Sequence, residues 1–174
     1  MPRRFVIEAV MLAVYGQLLA PSRPVEYVIP LSTLSELYDF RDSDEPVVPE
    51  SNEDQHVKKI IREWIAFFEE PLNRKKLERI QTIPWRKSLP LLVNEKVTLT
   101  IIHAMDYAPY GETFDPVESE LILTAQREQI PILTDQLEFM DLLIEAEVPV
   151  QVYDIEDFEF AVEGGISAED WGVH

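Results

Sequence analysis

Short apolar runs rich in branched residues alternate with longer amphipathic stretches along most of this chain. The runs predict strands at residues 4–8, 26–29, 97–103, 130–133 and 148–152. The amphipathic stretches predict helices at residues 9–19, 31–40, 115–129 and 137–147. Because strands that alternate with helices bury both faces of one sheet, the pattern predicts an α/β fold with a three-layer α/β/α arrangement and a mostly parallel central sheet.

The middle of the chain interrupts this alternation. Residues 57–70 and 72–81 predict two helices that form a hairpin, inserted at about 57–96 into a single domain that spans 1–163. Loops are predicted at 42–55 and 107–114, and an extended, proline-interrupted segment at 82–92. From Asp154 onward the chain predicts a loosely ordered acidic end, with 164–174 as its tail.

The composition excludes several classes of protein. The chain has no cysteine, so disulfides, thiolate catalysis and the usual structural zinc sites are ruled out. It has 5 glycines and none of the glycine-rich loops that bind nucleotide phosphates. The basic and apolar start imitates a secretion signal, but Glu8 interrupts its apolar run and no run reaches membrane-spanning length. We therefore expect a cytoplasmic protein that is not inserted in a membrane.

The net charge of −18 is spread unevenly. Residues 57–96 carry ten of the fifteen basic side chains, so any RNA would bind through its phosphates to this segment. The candidate contacts are Arg74, Lys75, Lys76 and Arg79, although a solvated helix face explains the same run. The acidic remainder favours solubility or a basic protein partner. Exposed apolar positions on the added hairpin would favour a homodimer.

Four acids fall at corresponding places in the predicted layout, at strand ends or on the helices that follow. They are Glu8, Glu36, Glu118 and Asp135. Carboxylates around one pocket cannot all stay charged without a cation, and Mg²⁺ or Mn²⁺ prefers oxygen ligands. The same residues have structural alternatives, because Glu118 and Asp135 each stand where an acid can cap a helix. The pattern thus predicts either a metal site or ordinary helix caps.

Three motifs resemble those of the PIN domain family, which includes toxin ribonucleases and RNA-processing nucleases. The run VIEAVMLAVYG is similar to the family's first strand and acid, with Glu8 as the acid, and TLSEL is similar to its helical Thr-x-x-Glu-Leu pattern, with Glu36. Glu118 to Ala125 lies in register with the helix that the family begins with Asp. The strand PILTDQLEF follows it, and together the matches cover roughly residues 4–40 and 115–155.

The resemblance implies a divalent-metal-dependent ribonuclease in which Glu8, Glu36, Glu118 and Asp135 hold Mg²⁺ or Mn²⁺. The chain departs from the family at several of these positions. Glu8 and Glu118 replace aspartates, and Gln136 stands two residues after Thr134, where the family has an acid. An alternative is therefore a catalytically impaired PIN-like module that serves as an acidic protein-interaction or regulatory scaffold. An unrelated α/β domain with coincidental acids is the third alternative.

Overall fold

The computed structural model describes residues 2–105, 110 and 112–162. Within these ranges the strands are β1 Arg3–Val6, β2 Val25–Pro30, β3 Leu91–Leu92, β4 Val97–Ile102, β5 Ile132–Leu133 and β6 Val152–Tyr153. The helices are α1 Met11–Val14, α2 Leu31–Asp42, α3 Ser51–Glu69, α4 Pro71–Glu78, α5 Pro116–Glu128, α6 Leu137–Glu145 and α7 Ile155–Val162. This arrangement confirms the predicted α/β fold. The predicted tail at 164–174 lies outside the described residues.

The six strands form one sheet in the order β3-β4-β2-β1-β5-β6. Every neighbouring pair is parallel except β3 with β4, which is antiparallel. From β1 the chain moves outward to β2 and β4, and it then crosses back to place β5 on the other side of β1. The carboxyl ends of β1 and β5 therefore form a topological switch point, where open α/β sheets usually bind ligands.

Alternate residues of the strands supply the two cores. Phe5 and Ile7 face the helical layer that contains buried residues of α1, α2, α3 and α7, while Val6 faces the layer of α5 and α6. Phe5 also packs edge to face against Phe158 of α7, with ring centroids 5.3 Å apart. Helices thus cover both faces of the sheet, which gives the predicted three layers.

The added helices α3 and α4 pack onto the first helical layer. Val57, Ile61, Trp64, Ile65 and Phe68 form the buried stripe of α3, and α3 contacts both α1 and α2. The prediction of two helices in this region is confirmed, but α3 begins at Ser51, inside the predicted loop. Glu50 explains the early start, because its carboxylate accepts hydrogen bonds from the amides of Asn52 and Glu53.

The prediction of one helix over 9–19 is wrong. The structure has the short α1, followed by a separate 3-10 turn at Gly16–Leu19. Tyr15 separates the two because its backbone is extended, with φ of −116° and ψ of 91°. The break places Tyr15 beside the carboxyl ends of the strands, where its hydroxyl contacts Asp135.

The end of the described chain also differs from prediction. The strand predicted at 148–152 is displaced to Val152–Tyr153, because Glu147 adopts a positive φ of 52° and Pro149 has no amide to donate to a ladder. The segment after Asp154 is helical up to Val162. Asp154 and Asp157 exchange side-chain to amide hydrogen bonds of 2.7 and 3.0 Å, which cap α7.

Candidate acidic site

Glu8 leaves the sheet two residues after β1 ends, at the carboxyl edge of the switch point. The preceding Phe5, Val6 and Ile7 are fully buried, so the chain carries Glu8 directly out of the core. The amide of the next residue, Ala9, donates to the Thr33 hydroxyl at 3.1 Å, which ties this turn to α2. The backbone therefore fixes the point from which the partly buried Glu8 side chain extends.

Burial is the largest cause that raises the pKa of Glu8 from 4.5 to about 7. Neighbouring carboxylates raise it in the same direction, and these are, in decreasing order of effect, Glu36, Asp135, Asp115 and Glu118. The structure thus brings the four acids selected from the sequence into one electrostatic neighbourhood. Burial first, and then repulsion from these carboxylates, makes Glu8 hard to ionise.

Gln136 is the direct partner of Glu8. Its side-chain Nε2 donates to Oε1 of Glu8 at 2.9 Å, which joins the ends of β5 and β1. The backbone amide of Gln136 donates to the hydroxyl of buried Thr134 at 3.1 Å, which fixes the turn that presents the side chain. At the position where the resemblance places an acid, this chain therefore has an uncharged donor.

Asp135 contacts Tyr15 rather than a helix end. The Tyr15 hydroxyl donates to Oδ2 of Asp135 at 2.6 Å. Burial and then this hydrogen bond raise the pKa of Tyr15, so the phenol remains a donor at neutral pH. Helix α6 has Gln136 at its N-cap and no side-chain cap, so the alternative that Asp135 caps this helix is wrong.

Glu118 serves as a helix cap in this arrangement. Asp115 accepts from the amide of Glu118 at 2.7 Å, and Oε1 of Glu118 accepts from the amide of Asp115 at 3.0 Å. This reciprocal pair is a capping box, which satisfies two amides at the start of α5. The structural alternative for Glu118 is confirmed, and a role as a metal ligand stays a prediction.

Glu36 and Glu120 approach each other from α2 and α5. Burial is the largest cause of the raised pKa of Glu36, followed by the charges of Asp115, Asp39 and Glu120. Glu120 is only 8% exposed and accepts a hydrogen bond from the Ser32 hydroxyl at the start of α2. Glu36 therefore shares an acidic environment with a residue that the sequence reasoning missed.

Sequence features could have identified Glu120. It directly precedes the nearly continuous apolar run LILTA, and a helix that is apolar on most sides is a buried one. An acid within such a helix is buried with it and needs a hydrogen-bond donor. Tyr15 had no comparable signal, because the predicted continuous helix hid the break that places it here.

A divalent cation would find the donor atoms that it prefers in this cluster, because the acids offer only carboxylate oxygens. The placement of these acids is less suitable for binding one metal ion. Across 2–105, 110 and 112–162, no three Asp, Glu or His side chains converge on one point as a bound metal ion requires. In this arrangement the donor chemistry fits Mg²⁺ or Mn²⁺ and the geometry does not, so the assignment of Glu8, Glu36, Glu118 and Asp135 as metal ligands stays a prediction.

The basic segment lies on α4 and the turn after it. Arg74 pairs with Glu78 one turn away at 4.0 Å, and Lys76 donates to the Pro90 carbonyl at 2.6 Å. Lys75 and Arg79 are exposed. A groove of about 470 Å³ between α2 and α4 has Arg74 in its wall. RNA binding by this segment stays a prediction.

The helices in the described part of the chain are each too short or too polar to cross a lipid bilayer. Comparison with known proteins found no family model and no curated protein that matches the chain. The similarity to PIN domains therefore remains a resemblance of sequence motifs.

Proposed function

We propose that this chain is a catalytically impaired PIN-like module that acts as an acidic protein-interaction scaffold. The observation that carries the proposal is the hydrogen bond from Gln136 to Glu8. It gives the half-buried carboxyl a protein donor at the position where the resemblance places a second acid. The edge of the sheet is thereby stabilised without a cation.

The electrostatics support this proposal. Gln136 is neutral, so the chain has one charge fewer to attract a cation to this edge than the resemblance implies. Asp135 and Glu118 are engaged by Tyr15 and by the amide of Asp115. Each of these contacts competes with metal coordination.

The charge distribution supports a role in binding. Residues 128–162 contain ten acids and no lysine or arginine. A surface with one sign of charge attracts a partner of the opposite sign and repels nucleic acid. A basic protein is therefore the partner that this segment favours.

Ribonuclease activity tests the proposal. We would measure the cleavage of a fluorescent single-stranded RNA with Mn²⁺ or Mg²⁺, using the parent and Glu8→Gln. We expect the parent to cleave no faster than the variant. Metal-stimulated cleavage by the parent that Glu8→Gln abolishes would overturn the proposal, because it would show that the carboxylate works in catalysis.

The second candidate is the divalent-metal-dependent ribonuclease itself. The charges of Glu36 and Asp135 act on Glu8 near the switch point, and this proximity favours the second candidate, because α/β folds bind ligands there. No basic side chain is hydrogen-bonded to these acids in the described residues. RNA would approach through Arg74, Lys75, Lys76 and Arg79. The same cleavage assay separates the two candidates, with Arg79→Gln as a variant that should weaken RNA binding only under this second candidate.

A further inference from the structure

Helix α6 exposes an apolar ridge to solvent. Leu137 is 72% exposed and Ile144 is 74% exposed. Residues seven positions apart lie within about 20° of each other on a helical wheel, so the two side chains form one ridge. Met140 is partly exposed beside them. A single exposed leucine is ordinary, whereas large apolar residues aligned on one helix make a continuous apolar strip that is a candidate contact surface.

The opposite face of α6 is firmly packed. Phe139 and Leu143 are 1% and 3% exposed and belong to the core with Val6, Leu121 and Ile132. The exposure of Leu137 and Ile144 therefore does not come from a loosely attached helix. Helix α6 has one apolar face for its own core and a second one with no partner in the described chain.

Three exposed acids, Glu138, Asp141 and Glu145, lie beside the ridge. Their side chains form no salt bridge within the part of the chain that the structure describes. No lysine or arginine occurs anywhere in residues 128–162 that could neutralise them. A partner would bind this face most tightly if it combined apolar side chains with positive charge.

We propose that the ridge of α6, defined by Leu137, Met140 and Ile144, docks a basic amphipathic helix of another protein. The partner helix would place leucine-like residues against the ridge and lysine or arginine against Glu138, Asp141 and Glu145. Amphipathic helices repeat their apolar residues three, four and seven positions apart, which is the spacing of Leu137, Met140 and Ile144, so two such helices can pack apolar face against apolar face. This inference rests on the proposed scaffold function and names the chemistry of its partner.

A second copy of this chain is a poorer occupant. Its own basic helix α4 exposes Leu72 at 65%, but the residues three, four and seven positions later are Lys75, Lys76 and Arg79. Leu77, the other leucine of α4, is buried. Helix α4 therefore has the charge but lacks a second apolar anchor, so a different protein fits the ridge better.

The test uses the full chain and a synthetic helix-forming peptide of about 18 residues, with leucines along one face and lysines beside them. Fluorescence anisotropy measures its binding to the parent, to Leu137→Ser with Ile144→Ser, and to Leu92→Ser. Leu92 is a matched control, because it is 70% exposed on β3 at the far edge of the sheet. A second peptide with serine in place of leucine controls for charge alone.

We expect salt-sensitive binding that the double serine variant weakens by at least about tenfold and that Leu92→Ser leaves unchanged. Amide chemical shifts should move along α6 when the peptide is added. Equal binding of the serine peptide, equal binding by the double variant, or no binding to the parent would each overturn the proposal. If the double variant does not fold, Asp141→Lys with Glu145→Lys replaces it and should weaken binding in the same way.

Light scattering tests whether the ridge of α6 instead binds a second copy of the chain. If the parent is a dimer and the double serine variant is a monomer, the ridge belongs to a second copy and the proposal is overturned. The peptide result is also separable from the nuclease test. Metal-dependent cleavage by the parent would contradict the proposed scaffold function. Absence of peptide binding alone would contradict only the proposed docking surface on α6.

Discussion

Gln136 donates its side-chain amide to the carboxyl of Glu8 at 2.9 Å and so links the carboxyl ends of β5 and β1. The pair occupies the switch point of the sheet. On one side of it the chain continues from β1 to β2 and β4, and on the other side lie β5 and β6. In the PIN domain family, which the chain resembles, both of these positions hold acids. Here they hold an acid and an amide. The proposal of an impaired site rests chiefly on this difference.

The pH dependence of stability should report the environment of Glu8. Its folded pKa of about 7 lies above the ordinary value of 4.5, so the folded state binds more protons than the unfolded state between these values. Stability from this group is complete below about pH 4.5 and is lost as pH rises toward 7. Glu8→Gln removes the ionisation and keeps an oxygen that can accept from Gln136.

We therefore expect Glu8→Gln to stabilise the protein at pH 8 by about 1–2 kcal/mol and to change little at pH 5. Urea denaturation in the presence of a chelator, at both pH values, measures the difference. A variant that is equally or less stable than the parent at pH 8 would show that the carboxylate is compensated there.

Tyr15 and Asp135 should be energetically coupled through their 2.6 Å hydrogen bond. In a double-mutant cycle with Tyr15→Phe and Asp135→Ala, we expect a coupling free energy of about 0.5–1.5 kcal/mol. Tyr38→Phe is the control, because the Tyr38 hydroxyl donates to Glu69 and should not couple to Asp135. Additive effects of Tyr15→Phe and Asp135→Ala would contradict the contact.

The capping box predicts an order of stabilities at the start of α5. Asp115→Ala removes the N-cap and should lower the free energy of unfolding by about 1 kcal/mol. Glu118→Gln should have a much smaller effect, because glutamine also accepts a hydrogen bond at this position of a capping box. Thermal denaturation measures both variants. If Glu118→Gln costs as much as Asp115→Ala, the charge of Glu118 has a role beyond the cap.

The sequence predicted the fold well because its signals were local and repeated. The branched run 97–103 and the apolar run 130–133 each predicted a strand, and proline after Asp115 predicted the start of α5. These patterns depend on burial, which is strongest in the centre of the sheet. Capping by Glu50 and by Asp154 was missed because an acid in a polar segment is equally typical of a loop.

The candidate site was predicted less completely. Glu8, Glu36 and Asp135 were placed together correctly as neighbours, because strand order brings strand ends to one edge. The burial of Glu120 could have been inferred from its apolar helix, but its contact with Ser32 and the donors on Tyr15 and Gln136 could not be assigned in the same way. Their roles depend on side-chain contacts between residues more than eighty positions apart, which no local pattern encodes.

Calorimetric titration of Mn²⁺ into the parent and into Gln136→Asp tests the central claim most directly. Gln151→Asp is the control, because it adds the same charge at an exposed position directly before β6, at the amino end of the parallel strands and opposite the acidic edge. We predict no Mn²⁺ binding to the parent or to Gln151→Asp, and binding to Gln136→Asp, whose acid replaces the amide that donates to Glu8. Mn²⁺ binding to the parent that Glu8→Gln removes would contradict the account, because Glu8 would then be a metal ligand despite its hydrogen bond to Gln136.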